Sequence, residues 1–468
     1  MCPAGMPAVF RQAIMESEAV SLELDLTRGQ VTLTLARFAL PLLGANLLQS
    51  LYNLADMAVV GRFLGSPGLA AVSSASTLCY ILTSLCTGLA TGGGVLAARC
   101  QGAEDRPGLR RVVGALCSLA AAAGILLTAG SLLLYGPVLR AMEVPPDAMP
   151  LALAYMGVIC WGTPFVLGYN ILCAVLRSLG DSRSPLGFVA LAAAVNVGLD
   201  LLLVGPLDQG AFGAALATVA AQALSFLCAL RSLLRRGFFR AFRSADFRPR
   251  LQSWGAILRM GLPTAAQMVV VNLSYLLVTG FFNGCGTDAA AAAGIGLKLN
   301  TFAAMPCWAV GQAVTTMAGQ CVGAGNPCRA GRSALRGLAL ALASSGIVVA
   351  AVFWGAPTLV ALFDPSPAVV AYGTEYLRRC CSLNFLAYAV MYVLDSFATG
   401  VGRPALAMGN ALLHALVLRL GLSWLLGVQM AMGFSGLCWA EMLSPFPCAL
   451  AGLLFLRLWL RRERPLDF

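Results

Sequence analysis

The sequence predicts an all-α integral membrane protein with twelve transmembrane helices in two six-helix pseudo-symmetric lobes. Three observations support this prediction: an apolar composition, alternation of charge between successive loops, and an internal repeat. Of the 468 residues, 59% are hydrophobic and only 11% are charged, and the mean hydropathy is +0.81. Because the surface of a soluble protein needs more charge than this, most of the chain is expected to lie in a bilayer.

About twelve apolar runs are long enough to cross a bilayer, at ~20 residues per span. Arginine is concentrated in the loops that follow the second, fourth, sixth, eighth and tenth runs, whereas the alternate loops hold few basic residues. Since basic loops stay on the cytoplasmic side, this pattern predicts that both termini are cytoplasmic. The basic loops contain Arg99, Arg106, Arg110 and Arg111, then Arg177 and Arg183, then Arg231 to Arg259, then Arg329, Arg332 and Arg336, and finally Arg403.

The two halves of the chain resemble each other. RFALP (37–41) recurs as RMGLP (259–263), 222 residues later, and RCQGAED (99–105) aligns with QCVGAGN (320–326) at a shift of 221. A repeat of six spans keeps both copies in the same orientation, which is a common plan of secondary transporters. The predicted segments are an amino-terminal cytoplasmic tail at 1–30, a lobe at 31–230, a basic cytoplasmic connector at 231–258, a second lobe at 259–460 and a cytoplasmic tail at 461–468.

Composition also argues against several classes of protein. The net charge is +11, but the arginines sit in short loops between apolar runs, which is not the pattern of a nucleic-acid-binding face. The sixteen cysteines mostly fall inside apolar runs without any C-x-x-C pair, so we expect free thiols rather than a disulfide framework. With a single histidine, His414, and no nucleotide-binding P-loop, we expect no cofactor and no structural metal. The amino terminus lacks the pattern of a signal peptide.

Polar residues inside the first span follow a helical period. Asn46, Gln49, Asn53 and Asp56 are spaced i, i+3, i+7 and i+10, so they share one helical face. A single polar residue in a span often serves helix packing. Four on one face, ending in a carboxylate without a nearby base, favour a cavity or a cation site.

Span five repeats this feature, since Asn196 and Asp200 lie one turn apart, and Thr218 of span six offers a further oxygen. If Asp56 and Asp200 meet, each carboxylate disfavours ionisation of the other. Such a pair releases a proton or binds Na+ near neutral pH, which is what a coupling site requires. The alternative is that Asp200 is solvated near a membrane surface.

The second lobe offers different residues. Tyr388, Tyr392 and Asp395 share a face of span ten. Asp395 either forms a structural ion pair with Arg419 or Lys298, or helps to line a substrate cavity. The other predicted cavity-lining residues are Asn170, Gln267, Asn272, Lys298, Asn300, Tyr388, Tyr392 and Arg419.

Taken in order, six motifs resemble the multidrug and toxic compound extrusion (MATE) family. The resemblance covers about residues 31 to 460 and implies export of organic cations or amphipathic compounds in exchange for H+ or Na+. The motifs are QSLYNLADMAVVGRFLG, AVLRSLGDSRSPLG, the N-x-x-x-D of span five, GLPTAAQ, GTDAAAAAGIGLK and GQCVGAGN.

The resemblance also implies site residues. The family's cation site in the amino-terminal lobe matches this sequence at Asp56, Asn196, Asp200 and Thr218, so transported Na+ or H+ is expected at the two aspartates. The NorM-type branch has a glutamate in span seven where this sequence has Val271. The sequence is therefore more similar to the DinF-like branch.

Two other functions fit the sequence less well. A flippase for lipid-linked precursors would need several arginines in its cavity to hold a pyrophosphate, and only Arg419 stands inside a span. An integral membrane transferase would need an acidic Mg2+ cluster or a histidine motif, and the sequence has neither. We expect a monomer of the bacterial cytoplasmic (inner) membrane that acts on small molecules and contacts no nucleic acid.

Overall fold

The structure is a computed structural model that describes residues 24–462, and these residues are almost entirely helical. The predicted tails at 1–30 and 461–468 lie largely outside the described residues. The helices are α1 (Val31–Gly102), α2 (Arg106–Ala141), α3 (Met149–Ser178), α4 (Arg183–Val204), α5 (Gly210–Arg235), α6 (Leu251–Asn283), α7 (Thr287–Gly323), α8 (Pro327–Ala361), α9 (Pro367–Cys380), α10 (Leu383–Gly400), α11 (Pro404–Leu412), α12 (Gly433–Leu443) and α13 (Pro445–Arg462).

These helices account for the twelve predicted spans. Nine described helices are long and apolar enough to cross a membrane, if α11 is counted together with the turns that follow it to Gln429, and α12 together with α13. The bent pair α9–α10 makes a tenth span. With 72 residues, α1 is far longer than the ~20 that one span needs, and it contains the first two spans. The more polar α7, with 37 residues, supplies the twelfth. The prediction of an all-α membrane fold is confirmed.

The break between the first two spans lies at Gly65. Its φ of 65° and ψ of −156° are not helical, and this region of backbone conformation is accessible essentially only to glycine. The chain turns there between two spans, although the helix is otherwise continuous from Val31 to Gly102.

The internal repeat reappears in local structure. Asp105 caps α2, with its Oδ1 accepting from the Gly108 amide at 2.9 Å. At the matching position of the second half, Asn326 caps α8 and accepts from the Arg329 amide at 3.0 Å. Both residue types satisfy an amide that has no partner within the helix. The aligned motifs therefore form the same helix-capping turn twice.

Two spans of the second half are irregular. The tenth span is bent by 48° between α9 and α10. The eleventh begins as α11 and continues as π-helical turns over Leu413–Leu420 and Ser423–Gln429. Such turns are rare and are frequent at functional sites. His414 and Arg419 both lie on the first of them.

The described chain forms two compact units that divide after Arg259. The first contains Gly44–Arg259 and residues up to Arg28, and the second contains Gly29–Leu43 together with the chain from Met260 onward. Each unit has its own apolar clusters, with small residues such as Ala174 and Ala292 where helices approach closely. The boundaries of the two predicted lobes stay a prediction.

Candidate cation site

Asp56 and Asp200 are both buried within the first unit. Asp56 lies on α1, 9% exposed, and Asp200 lies on α4 with no exposed surface. Asn196, one turn before Asp200 on the same helix, is 1% exposed. Spacing of i and i+4 places the Asn196 and Asp200 side chains on one face of α4, so the structure buries three of the four residues proposed for the site.

The two carboxyl groups contact each other. The Asp56 and Asp200 side chains lie within hydrogen-bonding range. Ionised carboxylates only accept hydrogen bonds, so a hydrogen bond between these two groups requires that one of them carries a proton. The alternative that Asp200 is solvated near a membrane surface does not agree with its complete burial.

Apart from the contact between the two acids, most polar atoms of these three side chains have no hydrogen-bond partner. Oδ1 of Asp56, both carboxyl oxygens of Asp200 and both polar side-chain atoms of Asn196 are buried without any conventional donor or acceptor among the described residues. Native proteins satisfy the great majority of buried polar atoms, and the exceptions call for an explanation such as an ion or a functional role. Here four of the five atoms are oxygens, which are the ligands that hard cations prefer.

Thr218 contacts a tyrosine that lies near both acids and that the sequence did not indicate. Its Oγ1 donates to the Ala214 carbonyl oxygen at 3.1 Å, one turn earlier on α5. The Thr218 side chain also lies within hydrogen-bonding range of Tyr155 on α3, which is near both Asp56 and Asp200. We name these five residues, Asp56, Tyr155, Asn196, Asp200 and Thr218, the carboxylate cluster. The sequence contains ten tyrosines, and nothing in it distinguishes Tyr155 from the others.

No basic side chain compensates the two acids of the carboxylate cluster among the residues described. Nor does the described part of the chain hold a group of three or more histidine, cysteine or acidic side chains suited to a metal ion. The cluster therefore offers two carboxyl groups, an amide oxygen and two hydroxyl groups. Such a set is able to take up one proton or one monovalent cation, and in either case the net negative charge falls.

The polar face of the first span is only partly buried. Asn46 is half-buried, whereas Gln49 and Asn53 are exposed. The Nδ2 atom of Asn46 is buried and has no partner. Gln49 lies within hydrogen-bonding range of Tyr52, as does Gln222 of α5. The face predicted from the sequence thus leads from exposed amides to the buried Asp56.

Asn170 makes its contacts within the first unit. Its Nδ2 donates to the Val166 carbonyl oxygen at 2.8 Å, and its Oδ1 accepts from Thr87 at 3.4 Å. The side chain is half-buried. These contacts link α3 to α1, and the role of Asn170 in lining a cavity stays a prediction.

Two buried charges of the second unit, Arg419 and Glu441, form an ion pair that the sequence did not predict. Arg419 Nε donates to Glu441 Oε1 at 2.5 Å, and the two side chains are 1% and 9% exposed. The Arg419 guanidinium also stacks on Tyr275, with its Cζ 3.5 Å from the ring centroid. A lone arginine in a span calls for a counter-ion, and Glu441 in the last predicted span was the signal that was overlooked.

Asp395 does not form either ion pair considered for it. Arg419 pairs with Glu441, Lys298 is exposed, and Asp395 accepts from Asn410 Nδ2 at 2.8 Å. That part of the prediction is wrong, because the sequence does not reveal that Glu441 lies closer to Arg419. The alternative, that Asp395 lines a cavity, stays a prediction.

The other candidates of the second unit are in mixed environments. Tyr388 accepts a hydrogen bond from the Trp308 indole at 3.1 Å and stacks with Tyr392 at a centroid distance of 6.1 Å. Of the three amides, Asn272 is exposed, whereas Gln267 and Asn300 are half-buried. They are spread over α6 and α7 rather than gathered at one point.

The sequence and the fold both match known proteins. A family model described as MatE matches residues 41–202 and 263–425, one stretch in each half of the chain. The chain is 30% identical to the probable multidrug resistance protein YpnP of Bacillus subtilis (strain 168), over 86% of this chain and 88% of that protein. It is 28% identical to the probable multidrug resistance protein YoeA of the same organism, over 72% of this chain and 74% of that protein.

Among solved structures, the crystal structure of MATE in complex with MaL6 has the same fold, with a TM-score of 0.88 and 24% identity. The match covers 93% of this chain and 98% of that one. The family match extends over most of the chain, and the protein is an integral multi-pass membrane protein and not an enzyme. The chain therefore belongs to the MatE family of multidrug efflux transporters.

Proposed function

We propose that this protein exports organic cations or other amphipathic drug-like compounds in exchange for H+ or Na+, which it takes up at the carboxylate cluster. The observation that carries the proposal is the contact between Asp56 and Asp200, both buried and without a basic partner. The names of relatives, such as the multidrug export protein MepA of Staphylococcus saprophyticus, support substrates of this kind.

The electrostatics of the pair favour reversible cation uptake. Two unit charges about 4 Å apart repel by about 4 kcal/mol at an effective dielectric constant of ~20. The doubly ionised state of Asp56 and Asp200 is therefore unfavourable until a proton or a metal cation neutralises part of the charge. The hydroxyl groups of Tyr155 and Thr218 and the amide of Asn196 provide additional ligands to the bound ion.

Coupling requires that the cation discriminates between two states of the transporter. A ligand shifts a conformational equilibrium only by its difference in affinity for the two states. Neutralising the carboxylate cluster removes a repulsion inside the first unit, so the helices α1 and α4 that carry the acids approach each other more readily. We propose that alternating access uses this change to release the substrate outside.

We propose that this protein belongs to the DinF-like rather than the NorM-type branch, and two features of the second half support this. In α6 the position of the NorM-type glutamate is Val271, and its neighbour Asn272 is exposed. The carboxylate of Glu441 is already paired with Arg419. The first lobe therefore supplies the coupling acids in this proposal.

The cellular setting follows from the charge pattern. We propose a monomer in a bacterial cytoplasmic membrane with both termini in the cytoplasm, two lobes at 31–230 and 259–460, and a connector on the cytoplasmic side. The arginine-rich loops support this orientation.

Proteoliposomes of defined orientation test the proposal. Efflux of a fluorescent organic cation would be driven by a pH gradient and, separately, by a Na+ gradient. We expect one gradient to drive transport by the wild type, and we expect Asp56→Asn and Asp200→Asn each to abolish gradient-driven transport. The matched control is Asp208→Asn, because Asp208 is an exposed acid of the same unit, outside the helices.

The outcomes separate the possibilities. Normal gradient-driven efflux by a correctly inserted Asp200→Asn variant would refute the role of the carboxylate cluster. If neither gradient drives any of several dyes, the substrate class is wrong, and flipping of lipid-linked pyrophosphates is the next activity to measure. Equal loss in Asp208→Asn would mean that the defect is not specific to the cluster.

A further inference from the structure

An apolar groove with a volume of about 610 Å³ lies in the first unit, next to the basic connector. We name it the connector groove. Its walls are helices α2, α3 and α5, and small residues on α2 and α3, including Ala121, Gly124 and Gly168, leave room for an occupant. Ala121 and Ile125 are exposed beside the groove, so it opens on the outer surface of these helices. Its volume is in the range of ~300–1,000 Å³ that is usual for ligand pockets.

The basic connector forms the roof of the groove. Phe239, Phe242 and Phe247 line its inner side, and Arg243 and Ser244 stand at its edge. The aromatic rings pack on one another, with centroids 5.0 Å apart for Phe239–Phe242 and 5.7 Å apart for Phe242–Phe247. The lining is therefore apolar except at the edge, where a guanidinium and a hydroxyl group are available.

The roof is held firmly on α2. Arg110 Nη1 donates to the Ala241 carbonyl oxygen at 2.7 Å, and Trp254 Nε1 donates to Ser118 Oγ at 3.0 Å. At Gly114 the two elements approach so closely that a Cβ atom would lie 2.2 Å from the Asp246 carbonyl oxygen. The groove is thus a formed feature of the fold, not a gap under a loose linker.

The charge around the groove is strongly positive. Six arginines of the connector are exposed, and none forms an ion pair among the described residues. The nearby acid Asp246 accepts from the Arg243 backbone amide at 2.9 Å. Arg236 is set apart by its pair with Asp181 at 2.7 Å. The six exposed residues are Arg231, Arg235, Arg240, Arg243, Arg248 and Arg250.

The connector groove is apolar, opens to the side of membrane helices and ends at an unpaired guanidinium. These features fit a molecule that has a hydrocarbon chain and a negatively charged head. Clusters of basic residues next to a transmembrane helix attract anionic lipids of the cytoplasmic leaflet, by about 1 kcal/mol for each basic residue. Retention of basic loops in the cytoplasm explains the arginines, but it does not explain a phenylalanine-roofed groove beside them.

We propose that the connector groove binds an anionic phospholipid of the cytoplasmic leaflet. An acyl chain lies between α2, α3 and α5 under the phenylalanine roof, and the phosphate meets the Arg243 guanidinium and the Ser244 hydroxyl group. This site is separate from the carboxylate cluster and independent of the proposed transport cycle.

Native mass spectrometry of the full-length protein tests the proposal. The purified protein in detergent would be given phosphatidylglycerol or phosphatidylcholine with the same acyl chains. We expect the wild type to retain one phosphatidylglycerol at concentrations at which phosphatidylcholine is lost. Arg243→Gln should weaken this retention about fivefold, which corresponds to about 1 kcal/mol for one basic residue, whereas Arg231→Gln should have a smaller effect because Arg231 does not line the groove.

The second part of the experiment fills the groove with a large side chain. Ala121→Trp should abolish retention of phosphatidylglycerol, whereas Ala122→Trp should not, because both alanines are exposed but only Ala121 lines the groove. If Ala121→Trp fails to fold, Gly124→Leu serves instead, since an added Cβ there would have its nearest neighbour 3.8 Å away.

Three results would overturn the proposal. One is equal retention of the two lipids by the wild type, and another is undiminished retention of phosphatidylglycerol in the folded groove-filling variant. The third is release of the lipid by millimolar inorganic phosphate together with insensitivity to groove filling, which would make Arg243 a site for soluble anions.

Discussion

Asp200 and Arg419 are both almost completely buried, but the neighbour of Arg419 carries the opposite charge, whereas the neighbour of Asp200 is another acid. Arg419 has an opposite charge beside it in Glu441, at 2.5 Å, whereas Asp200 has a like charge in Asp56. A buried pair of opposite charges is neutral in its resting state. The negative charge of a pair of acids is balanced only when a cation is added, and this is the property that the proposed cation site requires.

Replacing Tyr155 by phenylalanine tests whether its hydroxyl group is a ligand of the proposed coupling cation. The change removes only the hydroxyl group that contacts Thr218 and lies near both acids. A hydrogen bond to a charged group contributes about 1.5–3 kcal/mol, so the apparent affinity for the coupling cation should fall by about tenfold or more. The maximal rate should remain close to that of the wild type.

The measurement is the rate of dye efflux as a function of the concentration of the coupling cation. Tyr135→Phe is the control, because Tyr135 is a half-buried tyrosine packed against an apolar cluster of the same unit. An unchanged cation dependence in Tyr155→Phe would show that this hydroxyl group is not a ligand.

Removing one member of the pair Arg419–Glu441 should destabilise the protein. Glu441→Gln leaves a buried guanidinium without its counter-charge, and breaking a buried pair in this way costs about 3–5 kcal/mol. Replacing both residues by methionine should restore much of the loss, because no unpaired charge remains. Thermal unfolding in detergent measures the differences.

The matched control is Glu375→Gln. Glu375 pairs with Arg379 at 2.6 Å, but both side chains are about one-third exposed, at 31% and 32%. An exposed pair four residues apart on a helix contributes only about 0.3–0.5 kcal/mol. Equal losses of stability in the two variants would contradict the structural role assigned to the buried pair.

At the scale of the elements, the boundaries of the helices depend on single residues. Gly65 ends the first span by its backbone conformation, and Asp105 and Asn326 begin the next helices by capping. Proline within the spans says less about where helices end, since Pro137, Pro164 and others lie inside continuous helices. In membranes, neighbouring helices stabilise such positions.

Gly114→Val should detach the connector from α2. The added Cβ would lie 2.2 Å from the carbonyl oxygen of Asp246, and a backbone atom cannot move aside without displacing the turn that carries it. Because proteolysis requires local opening, cleavage by trypsin within the connector should become several times faster. Mapping the cut sites by mass spectrometry, with the exposed Arg243 and Arg250 as the diagnostic ones, measures the effect.

Gly130→Val on the same helix is the control, since nothing lies within 4 Å of the Cβ that it would add. Both changes introduce the same β-branched residue into α2, so the propensity cost is shared. If trypsin cleaves the two variants at equal rates, the close approach at Gly114 does not hold the connector.

At the scale of the whole molecule, the fold was largely predictable and the site was predictable in part. Hydropathy, loop charge and the repeat predicted the membrane class and the twelve spans, because a bilayer imposes both length and polarity on every span. Asp56, Asn196 and Asp200 were recognisable because polar groups in hydrocarbon are costly. The pairing of Arg419 and the position of Tyr155 depend on which helices are neighbours, and a single sequence does not contain that information.

The matching caps of Asp105 and Asn326 also record the history of the chain. Both halves retain the same helix-capping turn, although the first half contains a pair of buried acids and the second a buried salt bridge. After a gene duplication, the two halves can keep the same capping turns while the buried side chains of their helices change. If only the first half binds the coupling cation, as we propose, then one ion for each transport cycle is the expected stoichiometry.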